Sequence, residues 1–190
     1  MHAVILAHGL EIAKPTTMIH AIDSMINHIL IDDAEEYLRF LQDLFPYYEK
    51  YGATEQLYKL TERIEYVMNE YHLASACDRA LLLDYKAELL LQKSQAEKAL
   101  KKRKRAVENM EKEYTQTVDW RTVNLLSNLY NNISNTYSAL HKQEDSAAAL
   151  EKAFLIRMQH PELDLVETHD LLQQMMNLIN LLITEHRFVD

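Results

Sequence analysis

Glycine and proline are nearly missing from this chain, at 2 and 3 of its 190 residues. Sheet-rich folds draw on both at their turns, so this scarcity excludes an architecture built on tight hairpins and leaves long helices. Cysteine is as rare. Cys77 stands alone, so the chain can form no internal disulfide and no C-x-x-C metal pair, which fits a reducing, cytoplasmic setting. No apolar run reaches the ~20 residues a bilayer requires. Residues 1–10 are mildly apolar, but they are too short to span and lack the basic start of a signal peptide. Positive charge is also short, with 20 Lys and Arg against 29 Asp and Glu, a net of -9. That balance argues against nucleic acid or an anionic membrane as a general partner.

Catalytic signatures are missing too. The chain has no G-x-x-x-x-G-K-[ST] phosphate loop, no H-E-x-x-H and no G-x-S-x-G. Its nine histidines are scattered. His20 and His28 share a helix face but have no acidic partner at ligand spacing. The sequence therefore gives no catalytic residue, no metal site and no cofactor, and a non-enzymatic role is the expectation.

What is present is helical. Hydrophobic residues make up 48% of the chain, ample for a packed core. Pro15 precedes a helix over 17–31. Asp32 or Asp33 caps the next, which carries Tyr37, Phe40, Leu41 and Leu44 on one face. Pro46 should bend or break it near Phe45, and Gly52 stops it. Thr54 opens a partner with Leu57, Leu60, Ile64, Val67 and Met68. Ser75 with Asp78, and Ser94 with Glu97, read as capping boxes for helices over 76–93 and 95–114. Helices over 119–141, 145–159 and 164–184 follow, with His160-Pro161 closing the second of these.

The turns within these pairs fall at Gly52, Ser94, His141 and His186, spaced by 42, 47 and 45 residues. Asn132, Ile133 and Asn135 recur as Asn177, Leu178 and Asn180, 45 residues on, and Ala106 and Ala153 lie 47 apart. Residues 130–154 form the clearest unit. Tyr130, Ile133, Tyr137 and Leu140 line one helix, and Ala149, Leu150, Ala153 and Phe154 line its partner. The run Tyr130-Asn131-Asn132-Ile133-Ser134-Asn135-Thr136-Tyr137 resembles the first-helix pattern W-x-N-L-G-x-x-Y of the tetratricopeptide repeat family. Glu151-Lys152-Ala153-Phe154 resembles the end of its second helix. The departures are Ser134 for Gly, His141 for the turn Gly and Ser146 for Ala. These units are longer than the ~34 residues usual in that family. The resemblance implies an all-α, right-handed superhelix of antiparallel helical hairpins, whose work is to bind a protein or an extended peptide in its groove.

At the N-terminus, Met1-His2-Ala3-Val4-Ile5 and Lys14-Pro15-Thr16 resemble the junction between the winged helix and the repeat sensor of STAND-type signalling ATPases. This divides the chain into an N-terminal segment, 1–31, and a repeat array, 32–190. The last repeat stops after the start of its second helix and leaves Met175, Leu178 and Leu182 uncovered. The expectation is a sensor fragment of a larger signalling protein, or a homo-oligomer joined through that face. Rivals are a structural oligomerisation domain and the peptide-sensing domain of a transcription regulator.

Candidate recognition residues follow from the resemblance, which places the first helix of each pair along the groove. Asn128, Asn131, Asn135 and Ser138 recur at spacings of three or four and share one face. Gln173 and Asn180 continue the stripe, and Asp84 and Glu88 come from the preceding unit, favouring a basic feature on the ligand. An amide both donates and accepts, so such a row suits a peptide backbone; the alternative is hydrogen bonding between helices, above all for Asn132 and Asn177. The basic run of Lys98, Lys101, Lys102, Arg103, Lys104 and Arg105 reads as a solvated outer helix face, although Arg103 falls where the family has an apolar residue.

Overall fold

The computed structural model describes residues 15–26, 31 and 33–161. Every regular element of any length among them is an α-helix: α1 (Pro15–Ile26), α2 (Ala34–Lys50), α3 (Thr54–Glu70), α4 (Ala76–Gln92), α5 (Ala96–Tyr114), α6 (Trp120–Ala139) and α7 (Gln143–Met158). They fall into two compact units divided between Leu73 and Ala74. The expected helix over 164–184, with Gln173, Asn180 and His186, lies outside the described residues.

In the first unit α2 and α3 form a hairpin whose core includes Leu41, Tyr48, Leu57, Ile64 and Val67, all fully buried. Asp33 caps α2 by accepting from the Glu35 and Glu36 amides at 3.0 Å each. α1 falls in the same compact unit. The Tyr37 hydroxyl donates to the Ile26 carbonyl and the Tyr48 hydroxyl to Asp23 Oδ1, both at 3.3 Å. Of the expected bend or break at Pro46, the break does not occur: α2 runs through the exposed proline to Lys50, in the last two turns of the helix, where its missing N–H forfeits one backbone bond.

The second unit holds two hairpins, α4/α5 and α6/α7, with α6 packed against α4, α5 and α7. Its core includes Leu100, Met110, Leu126, Leu129, Ile133 and Ala153. The Ser75–Asp78 capping box opens α4 as expected. The second expected box does not form. Ser94 is instead the left-handed residue that ends α4, and Gln95 precedes α5 without a side-chain cap.

All three hairpins turn in the same way. Gly52, Ser94 and His141 have φ of 64, 57 and 57°. In each, the amide of the left-handed residue and the next amide fold back on the last turn. At His141 these bonds are His141 to Ser138 at 3.0 Å and Lys142 to Tyr137 at 2.9 Å. This is the double bond of a Schellman ending. The 42- and 47-residue spacings in the sequence are therefore spacings of one turn geometry.

Only glycine enters that conformation without a Cβ penalty. Ser94→Gly and His141→Gly should each raise the unfolding free energy by about 0.5–1 kcal/mol in urea titrations, and Gly52→Ala should lower it by about 1 kcal/mol. Equal stability of all three variants would mean that the turns are not held left-handed in solution.

Candidate functional site

α6 carries the expected polar stripe, and its start is fixed by Asp119. That carboxylate accepts from the Thr122 amide at 2.7 Å. The bond to the helix N-terminus holds its pKa below the usual carboxylate range.

The largest polar group against α6 is one the sequence reading placed in solvent. Arg103 on α5 is 2% exposed. Its Nε donates to Asp84 Oδ1 at 2.8 Å and its Nη2 to Glu88 Oε2 at 2.8 Å, both on α4. Nη1 donates to the Asn132 carbonyl at 3.0 Å and to Thr136 Oγ1 at 2.7 Å, both on α6. Asn132 Nδ2 closes the ring on Asp84 Oδ2 at 2.8 Å. One guanidinium thus joins three helices, its fork matched by two carboxylates. Asp84 and Glu88 are its counter-charges, and Asp84 is buried, so these two expected ligand residues are occupied within the protein. Asn132 is an inter-helix group, the alternative weighed from the sequence. Arg103 could have been placed inside from its register. It stands four and three residues after Ala99 and Leu100, and three and four before Ala106 and Val107, all buried.

A second buried arginine fixes the start of the stripe. Arg157 on α7 is 4% exposed. Its Nε donates to Ser127 Oγ at 3.0 Å, and its Nη2 to Asn124 Oδ1 and, at 3.1 Å, to Asn128 Oδ1. Ser127 in turn donates to the Ala153 carbonyl at 3.0 Å. The far end of the stripe is fixed by serines. Ser146 on α7 lies 2.8 Å from both Ser134 Oγ and Ser138 Oγ and donates to the Ser134 carbonyl at 3.0 Å. The two positions where the resembled repeat pattern has small residues, 134 and 146, therefore hold serines that bond each other between α6 and α7.

Between those ends lie Asn131 and Asn135. Asn135 is exposed. Asn131 Oδ1 is buried and finds no hydrogen-bond donor among the described residues. Of the eight residues expected to bind, Asn128, Ser138, Asp84 and Glu88 are tied within the protein. Asn131 and the exposed Asn135 stand one turn apart on α6 between these fixed ends, and Gln173 and Asn180 lie outside the described residues.

Burial pushes the Cys77 thiol up, away from the reactive thiolate. Burial and its bond to Glu111 raise the Tyr130 hydroxyl. Among the described residues, no three His, Cys, Asp or Glu gather to hold a metal ion, and no helix is long and apolar enough to cross a membrane.

No protein-family model and no curated protein matches the chain. A similar arrangement of helices occurs in the crystal structure of BtubC (BKLC) from P. vanneervenii. The two superpose with a TM-score of 0.62 at 17% identity, over 90% of this chain and 67% of that one. At such identity the likeness concerns the fold alone.

The division of the stripe predicts opposite stabilities for two neighbouring asparagines. Asn128→Ala removes an acceptor from a buried guanidinium and should cost about 1.5–3 kcal/mol. Asn131→Ala removes an unsatisfied atom and should cost no more than about 0.5 kcal/mol. Chemical denaturation of both variants decides it; equal losses would place Asn131 in the helix-packing network as well.

Proposed function

We propose that the chain is a non-enzymatic recognition scaffold of tetratricopeptide type that binds an extended peptide or partner segment along α6. The observation that carries this reading is the α6 face on which the exposed Asn135 stands one turn from Asn131, whose Oδ1 has no donor among the described residues. An extended backbone presents N–H and C=O groups alternately, and two amides a turn apart can answer both without reading side chains. The repeated hairpins with one turn geometry support a stacked scaffold, and stacked helical repeats commonly bind along the faces they leave open.

The wider role proposed is the sensing portion of a larger cytoplasmic signalling protein. Its support is the N-terminal resemblance in Met1–Ile5 and Lys14-Pro15-Thr16, with Lys14 one residue before α1. The peptide-sensing domain of a transcription regulator remains the second reading on the same binding surface.

A random peptide array probed with the labelled protein tests the proposal. The double variant Asn131→Ala/Asn135→Ala should weaken the selected peptide by about ten- to a hundredfold in titration, at unchanged helical content. Unchanged affinity would move the binding surface off α6.

A further inference from the structure

The outward face of α5 is strongly basic. Six of the chain's 20 Lys and Arg lie within residues 98–105. Arg103 turns inward to its two carboxylates. Lys98, Lys101, Lys104 and Arg105 are exposed and Lys102 is half-buried. Together they wrap the side of α5 opposite Ala99, Ala106 and Met110, which are buried. No acid interrupts the run between Glu97 and Glu108. Glu97 has Lys142 at 3.7 Å; at the Lys104 edge, Asp145 and Glu97 both favour the charged amine, which lies over the Tyr137 ring at 5.4 Å.

This face works against its own helix. Lys98 meets Lys101 and Lys102, and Lys101 meets Lys104 and Arg105, at the i,i+3 and i,i+4 spacings where like charges destabilise. The carboxylates that could relieve it from α4, Asp84 and Glu88, are committed to Arg103. Relief within the helix is confined to the ends of the run, where Glu97 stands four residues before Lys101 and Glu108 stands four and three after Lys104 and Arg105; Lys98 and Lys102 have no acid at that spacing, and their charge can be met by an anion from outside the chain.

We infer that the outward face of α5 is a docking surface for a short acidic peptide segment. The run of eight residues is about 12 Å long, which matches a cluster of a few carboxylates. A duplex nucleic acid carries its charge continuously and would extend past this face onto a chain of net charge -9. The basic positions also have no aromatic residue among them on which a base could stack. An acidic segment meets neither obstacle. The surface is on a different helix from Asn131 and Asn135, so it stands or falls apart from the α6 reading.

Fluorescence anisotropy with a labelled twelve-residue peptide of alternating Glu and Ser tests it, beside the Gln–Ser peptide and a twelve-base-pair duplex. The Glu peptide should bind, more weakly as salt rises, and the Gln peptide should not. The variant Lys98→Gln/Lys101→Gln/Lys102→Gln/Arg105→Gln should lose at least tenfold in affinity and melt no lower than the parent. The variant Lys59→Gln/Lys86→Gln/Lys112→Gln/Lys152→Gln, with the same change in net charge, should lose less than twofold. If the first variant unfolds, Lys101→Gln/Arg105→Gln replaces it, with a threefold loss expected. Equal losses in both sets, no binding of the Glu peptide at low salt, or tighter binding of the duplex would each overturn the inference.

Discussion

The second helical unit depends on one buried cation. A guanidinium removed from water is tolerated only when its donors are matched, and Arg103 meets this with Asp84, Glu88, the Asn132 carbonyl and Thr136. Because those partners sit on α4 and α6, the pairing sets the rotation and depth of both helices against α5. An apolar residue at position 103 could fill the same volume, but it would not specify which turn of α4 faces which turn of α6. The arrangement of α6, and so the orientation of its polar stripe, follows from this ring of bonds.

Arg157 repeats the device one hairpin later with neutral acceptors. It takes Ser127, Asn124 and Asn128, and the serines at 134, 138 and 146 close the other end of the same helix pair. Most of the asparagine and serine content of α6 is thereby explained as the polar joinery of a close helix contact. Asn131 and Asn135 are left between these fixed ends. Among the described residues, Asn131 Oδ1 is the buried side-chain acceptor left without a partner.

Much of the fold was legible because helical periodicity and turn positions are local signals. Leu57, Leu60, Ile64, Val67 and Met68 recur at the spacing that buries one face, and all five are buried. Gly52 and His141 were read as turns and are left-handed. The errors came where a residue type has two uses. Ser94 three residues before Glu97 looks like a cap, but a serine just past a helix end also accepts positive φ, and the apolar run before it decided the matter. Pro46 read as a bend or a break, and the helix continues through it. The site was less legible for a related reason. Asp84, Glu88 and Arg103 are distant in sequence and become partners only when the helices pack. Composition alone makes carboxylates and a basic run look like surface. The warnings available were the register of Arg103 among Ala99, Leu100, Ala106 and Val107 and its place at a position where the resembled repeat has an apolar residue.

If the Arg103 ring holds α4, α5 and α6 together, its members must be coupled energetically. A double-mutant cycle on Arg103→Met and Asp84→Leu, followed by urea unfolding, measures that coupling directly. Each single change strands buried charge and should cost about 3–5 kcal/mol, while the double change should recover much of that loss, for a coupling of at least about 2 kcal/mol. Additive losses, with a coupling below about 0.5 kcal/mol, would contradict the account.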